Sequence, residues 1–190
     1  MTWPNGVITT IELVGYLHSR DDILDTAIDA VFESGVHQLT FGKLATRLGI
    51  ADRTVVYYFP TKEQLITDVL EALALRMMTV IAKAFGDEPL DPDELARRAW
   101  LAFTNAEADR VFRVFFEVVG LAAARLSPYS AIAPVLIDGW TDWLEPHVKT
   151  QGDARAETMA LMAKLDGLLL LRHTVGRKPA DAAARAMGFR

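Results

Sequence analysis

Apolar residues recur at helical spacing along nearly the whole chain, and no stretch sustains the two-residue alternation of a half-buried strand. Ile23, Leu24, Ala27, Ile28, Val31 and Phe32 open the pattern, with Ser19 placed to cap the helix and Gly35 placed to stop it. Pro and Gly then cut the sequence into runs of helix length. The spacing predicts helices over about 21–35, 41–48, 52–59, 62–85, 91–106, 109–125, 128–150, 153–175 and 180–187. Thr40 and Thr61 stand where N-caps belong, and Thr61 with Gln64 has capping-box spacing. Pro134 and Pro146 should kink or shorten the 128–150 element. The expectation is an all-α fold of about nine helices, with residues 1–18 as an N-terminal extension, 19–65 as a three-helix head and 66–190 as a helical body.

Composition narrows the function classes. With 51% hydrophobic residues the chain has ample material for a core, and with no cysteine it has no disulfide, thiolate metal site or cysteine nucleophile. The four His residues (His18, His37, His147, His173) are scattered without ligand spacing. No Gly-rich phosphate loop appears, so no catalytic residue, cofactor or metal is expected. The apolar run 111–124 is interrupted by Arg113 and Glu117, and the run 160–171 by Lys164 and Asp166. Neither reaches the roughly 18 uninterrupted apolar residues of a spanning helix. With no leader signal either, a cytoplasmic protein without a membrane partner is expected. Asp21, Asp25, Asp29 and Glu33 form an acidic stripe on the first helix, the pattern of a solvated face.

The stretch 40–62 carries a mechanism. Leu44, Leu48, Ile50, Val55 and Phe59 can be buried by two short helices joined through residues 49–51, with Ala45 at their crossing and Gly49 at the turn. That is helix-turn-helix spacing. With Val55 and Phe59 inward, Arg53, Thr54 and Tyr57 point outward, suited to a major groove and its phosphates. Tyr58 stands at the end of the same helix, Thr40 and Lys43 at the start of the preceding one, and Lys62 at the start of the fourth. These seven are the candidate contacts to double-stranded DNA; a purely structural helical hairpin is the competing reading. Net charge is −5 overall, yet 40–62 carries four bases against one acid, 63–171 ten against seventeen, and 172–190 five against one. The candidate reading segment is therefore basic in an acidic chain.

The run Gly49-Ile50-Ala51-x-Arg53-Thr54-Val55-x-Tyr57-Tyr58-Phe59-Pro60-x-Lys62-Glu63 resembles the TetR family of bacterial transcriptional regulators. Members typically show Gly-Val-Ser-x-x-Thr-Leu-Tyr-Tyr-His-Phe-x-x-Lys-Glu at this place. Upstream, Ile23-Leu24-x-x-Ala27 through Gly35 and Thr40 fits the family's first helix and the lead into its second. Ala51 departs from the usual Ser or Thr cap, Val56 from a frequent aromatic and Tyr58 from a frequent His. The resemblance implies a homodimeric repressor on a palindromic operator, released by a small-molecule effector.

In the body the resemblance is one of pattern. Residues 153–175 are apolar nearly all round, which suits a helix buried on more than one side. A two-fold interface built from this helix and 180–187 would use Leu161, Leu165, Gly167, Leu168, Arg172 and Ala183, and the plainer alternative is a deep monomer core. Trp100, Phe103, Phe112, Phe116, Trp140 and Met162 are candidate linings for an apolar ligand, with Asp166 as a polar anchor. His173 lies two turns further along the same face. A regulator controlled by a protein partner is the runner-up reading, and an all-α small-molecule-binding protein or enzyme the third.

Overall fold

The computed structural model describes residues 18–189, so the expected extension over 1–18 lies almost wholly outside them. Among the described residues there are nine α-helices and no strand. In chain order they are α1 (Arg20–Ser34), α2 (Phe41–Leu48), α3 (Asp52–Tyr58), α4 (Lys62–Phe85), α5 (Pro92–Phe103), α6 (Ala106–Ala123), α7 (Tyr129–Leu144), α8 (Ala154–Thr174) and α9 (Arg177–Ala186). The chain divides into two compact units after Leu70, within α4.

Local chemistry sets most helix starts. Ser19 and Asp22 form a reciprocal capping box at α1. The Thr40 hydroxyl accepts from the Lys43 backbone at α2, and the Asp153 carboxylate accepts from Ala156 at α8. At α4 the anticipated capping box is half realised. Thr61 Oγ1 accepts from Gln64 N at 3.1 Å, but the Gln64 amide turns forward and donates to Asp68 Oδ1 at 2.8 Å.

Four boundaries differ from the sequence expectation, and the first is the end of the fifth helix, which stops at Phe103 and not near 106. The sixth helix starts at Ala106, because the Asn105 side chain accepts from both Glu107 N and Ala108 N and fixes an earlier start. The ninth starts at Arg177, and Pro179 sits in its first turn, where a missing N–H costs nothing. The 128–150 element is shorter: α7 stops at Leu144, and a 3-10 turn (Glu145–His147) carries Pro146 near its start. Pro134 lies inside α7 without ending it.

In the first unit, Ile23, Ala27, Ile28 and Val31 of α1 are buried together with Leu44 and Ala45 of α2, Val55 of α3 and Leu65, Ile66 and Val69 of α4. Arg20 is ion-paired with the buried Asp68, and its guanidinium stacks 5.1 Å from the centre of the Phe59 ring. The second unit is built on aromatic and aliphatic packing. Phe85, at the end of α4, stacks on Trp143, whose ring also meets Trp140 and His147. A separate group joins Phe103 of α5 to Phe112, Phe115 and Phe116 of α6 and on to His173 of α8. Arg98 closes the end of α4 by donating to the carbonyls of Ala84 and Phe85.

Candidate nucleic-acid interface and ligand face

The α2–α3 pair is shaped by its turn. Gly49 ends α2 in the left-handed region (φ 68°, ψ 30°), where a side chain is strained, and Ile50 N returns to Ala45 O at 3.0 Å. Ala45 is buried, as the crossing of two helices requires. The starts of α2 and α3 also approach closely, since a Cβ on Gly42 would meet Asp52 Oδ2 at 3.4 Å. Asp52 is the first residue of α3 and does not cap it; Ala51 holds the cap position with no side-chain hydrogen bond. The helix is pinned instead by Val55 and Phe59, both fully buried.

That pinning decides what α3 presents. Arg53 is exposed, and Tyr57 is 80% exposed. Arg53 and the Tyr57 hydroxyl have no hydrogen-bond or ion-pair partner among the described residues. Large side chains held out on a short rigid helix without internal partners are available to a ligand. Thr54 and Tyr58 are half-buried, and the Tyr58 ring sits edge-on to Tyr57 at 5.1 Å. Lys43 Nζ donates to Gln38 and Lys62 Nζ donates to the carbonyl of His37, both exposed and with donors to spare. Thr40 is exposed, its oxygen engaged in the cap but its hydroxyl proton uncommitted. Arg47, by contrast, is held by a two-pronged ion pair to Glu33, with both contacts at 2.7 Å. Val56 was not among the sequence candidates, yet it is 41% exposed on the outward side of α3. Its position next to Val55 in the helix was the signal, about 100° round from the buried face.

In the second unit the proposed ligand residues fall into two groups. Phe103, Phe112 and Phe116 touch in one chain of rings that ends on His173, while Trp140 belongs to the Trp143–His147 group. Trp100 is buried without a ring partner among the described residues. Met162 links α8 to α7, its sulfur lying 3.6 Å from Thr141 Oγ1, whose proton goes to the carbonyl of Ile137 at 2.8 Å. Asp166 is half-buried, has no hydrogen-bond or ion-pair partner among the described residues, and is pushed up to about 6 by desolvation. It is not the paired carboxylate that would tie helices together. Asp109 takes that part. Desolvation works to raise it, but the hydrogen bonds and charges of Arg172 and Arg177 outweigh this and hold it below the ordinary value.

The residues expected at a two-fold interface divide by exposure. Leu161, Leu165, Leu168 and Arg172 are buried within the single chain, and Arg172 is taken up by Asp109 at 2.7 and 3.0 Å. Side chains already buried in one chain have little area left for a second. Gly167 is exposed, and Ala183 is half-buried. The exposed apolar line on α8 is Met159, Ala163, Gly167, Leu170 and Leu171, with Met187 just beyond α9. A helix with leucines on several sides hides from sequence which of its faces is the inner one.

A helix-turn-helix with an exposed arginine and tyrosine on its second helix, followed by a separate all-helical unit, defines a class of DNA-binding regulators. Residues 23–69 match the family model of bacterial regulatory proteins, tetR family. That match runs from α1 into α4 and takes in the helix-turn-helix, so over this unit the chain is similar to the TetR family of transcriptional regulators. It is 24% identical to an HTH-type transcriptional regulator, BetI, of Serratia proteamaculans over 192 residues, covering 82% of this chain and 94% of that one. Its fold is similar to that of a TetR-family transcriptional regulator from Rhodococcus sp., with TM-score 0.72 and 16% identity over 89% of this chain and 94% of the other. It is also similar to a multidrug binding protein, EbrR, complexed with proflavin, with TM-score 0.64 and 23% identity over 89% and 97% of the two chains. No helix among the described residues is long and apolar enough to cross a membrane.

Proposed function

We propose that the chain is a dimeric repressor that grips a palindromic operator through α3 and lets go when a small, largely apolar molecule binds in its second unit. One observation carries the DNA half of the reading. Val55 and Phe59 fix α3 from behind, so Arg53 and Tyr57 are left exposed and unengaged on a rigid support. In this reading Arg53 addresses a guanine edge, Val56 a thymine methyl, and Tyr57, Thr54 and Tyr58 the neighbouring backbone. Thr40, Lys43 and Lys62 hold phosphates on either side. The domain division proposed at residues 65 and 66 falls early in α4, a little over one turn before the compact units part after Leu70.

The exposed line Met159, Ala163, Gly167, Leu170 and Leu171 supports a two-fold contact with a second copy, which would set two reading helices about 34–36 Å apart on successive major grooves. The effector half rests on the ring cluster of α5 and α6 and on the unpaired Asp166. The EbrR neighbour, described as complexed with proflavin, supports the view that this fold can hold such a molecule. The effector acts only in so far as it binds one state of the dimer better than the other.

Fluorescence anisotropy on an operator duplex tests the contact. Arg53→Ala should weaken specific binding by about 1–3 kcal/mol while leaving affinity for random duplex nearly unchanged. An equal loss on both duplexes, with a salt slope shallower by about one, would instead make Arg53 a phosphate contact.

A further inference from the structure

Between the core face of α8, to which Leu165 and Leu169 belong, and its exposed apolar line runs a half-buried border. Met162, Asp166 and His173 fall four and seven residues apart, which places them on one stripe of the helix. Both ends of the stripe are anchored to neighbours. Met162 meets Thr141 of α7 through the 3.6 Å sulfur contact, and the His173 ring lies edge-on to Phe116 of α6 at 5.8 Å. Asp166 between them therefore belongs to the side of α8 turned toward α6 and α7. Carboxylates that lose water in folded proteins are ordinarily paired. Asp109 in this same unit shows the ordinary solution, with two guanidiniums around it. Asp166 has neither an ion pair nor a hydrogen bond among the described residues.

A second unsatisfied group lies on the same stripe. His173 Nε2 is buried and has no partner among the described residues. Seven residues of helix separate the two polar groups by about 10 Å, the length of a small elongated molecule. Their surroundings differ. The His173 end lies in the field of Arg172 and Arg113 as well as Asp109, whereas no base is paired with Asp166. A positive group is thus drawn to the Asp166 end, where no base competes with it for the carboxylate.

We propose that the Met162–Asp166–His173 stripe recognises an organic cation: an apolar, elongated molecule whose protonated nitrogen pairs with Asp166 while its body lies along the ring-rich face beside Phe116. The proposal rests on the effector reading above and sharpens it from apolar to cationic. An uncharged ligand leaves the Asp166 carboxylate desolvated and unpaired, and an anion meets it as a like charge.

Decylamine, decanol and decanoate share one chain length and differ only in head group. Their binding to the full chain at pH 7.5, followed by titration calorimetry below the micelle threshold, separates the three cases. The proposal expects decylamine to bind about tenfold tighter than decanol, the yield of one charge-assisted hydrogen bond, with decanoate weakest. Asp166→Asn should reduce the amine preference to about twofold or less without loss of decanol binding, and Asp166→Glu should retain it. Operator binding by each variant confirms that it is folded. Equal affinities for amine and alcohol, tighter binding of decanoate, or an amine preference that survives Asp166→Asn each overturn the cation assignment while leaving an apolar effector in place. Binding of none of the three overturns the cation assignment and counts against the effector reading as well.

Discussion

Two acidic side chains of the second unit show how partners decide what burial does. Asp109 has Arg172 and Arg177 within hydrogen-bond reach and stays ionised, whereas Asp166 has no charged partner and is pushed up to about 6. Removing Arg172 leaves Asp109 with only the exposed Arg177, so Arg172→Ala should cost about 1.5–3 kcal/mol in urea unfolding. Asp166 acts in the opposite sense. Its folded pKa of about 6 lies above the ordinary 3.8, so the folded chain holds the proton more tightly than the unfolded chain. The stability it contributes is complete below about pH 3.8 and is lost as pH rises through about 6. Asp166→Asn should therefore melt higher than the parent at pH 7.5, by an amount on the order of 1–3 kcal/mol. The gap should close below about pH 4; a gap that stays constant with pH would mean the carboxylate is solvated or paired.

At the scale of elements, the α2–turn–α3 unit depends on two small residues. Gly49 occupies a left-handed backbone, and Gly49→Ala should cost about 1 kcal/mol by that strain alone. Ala45 is buried at the crossing, and Ala45→Leu should cost about 1–3 kcal/mol and weaken operator binding, because the added volume displaces α3. Both are measured by thermal melts alongside DNA titrations. This part of the molecule was legible from sequence, since a glycine at the turn and an apolar frame at fixed spacing leave few ways to fold. Helix starts were legible where a cap works within one turn, as at Ser19, Thr40 and Asp153. They were misplaced at Ala106 and Arg177, where Asn105 extends one helix backwards and a proline lies harmlessly inside the first turn of another. The faces of α8 were the least legible. Leucines surround that helix, so only tertiary packing distinguishes the buried Leu165 and Leu168 from the exposed Leu170 and Leu171.

At the scale of the whole molecule, charge and assembly constrain each other. The segments 40–62, 63–171 and 172–190 carry +3, −7 and +4 and cancel, so the net −5 is the charge of residues 1–39. The acid that dominates the overall balance thus lies largely on the exposed face of α1, at Asp21, Asp25, Asp29 and Glu33, and not in the second unit. Arg47 neutralises Glu33 where α2 meets α1. A DNA-reading surface on this unit must therefore be the α2–α3 side and not the α1 stripe, because phosphates repel the latter. Assembly is tested separately by sedimentation. Leu171→Glu on the exposed line of α8 should convert a dimer to a monomer that keeps its helix content, and an unchanged mass would move the two-fold contact elsewhere.

The central claim is that this chain reads DNA sequence as a dimer, and selection of bound duplexes from a random pool measures it most directly. The account predicts a two-fold symmetric consensus bound at least about a thousandfold tighter than random duplex at physiological salt, with Arg53→Ala relaxing the preference at one position in each half-site. Equal binding of every duplex, a consensus without two-fold symmetry, or no binding even at low salt would contradict it.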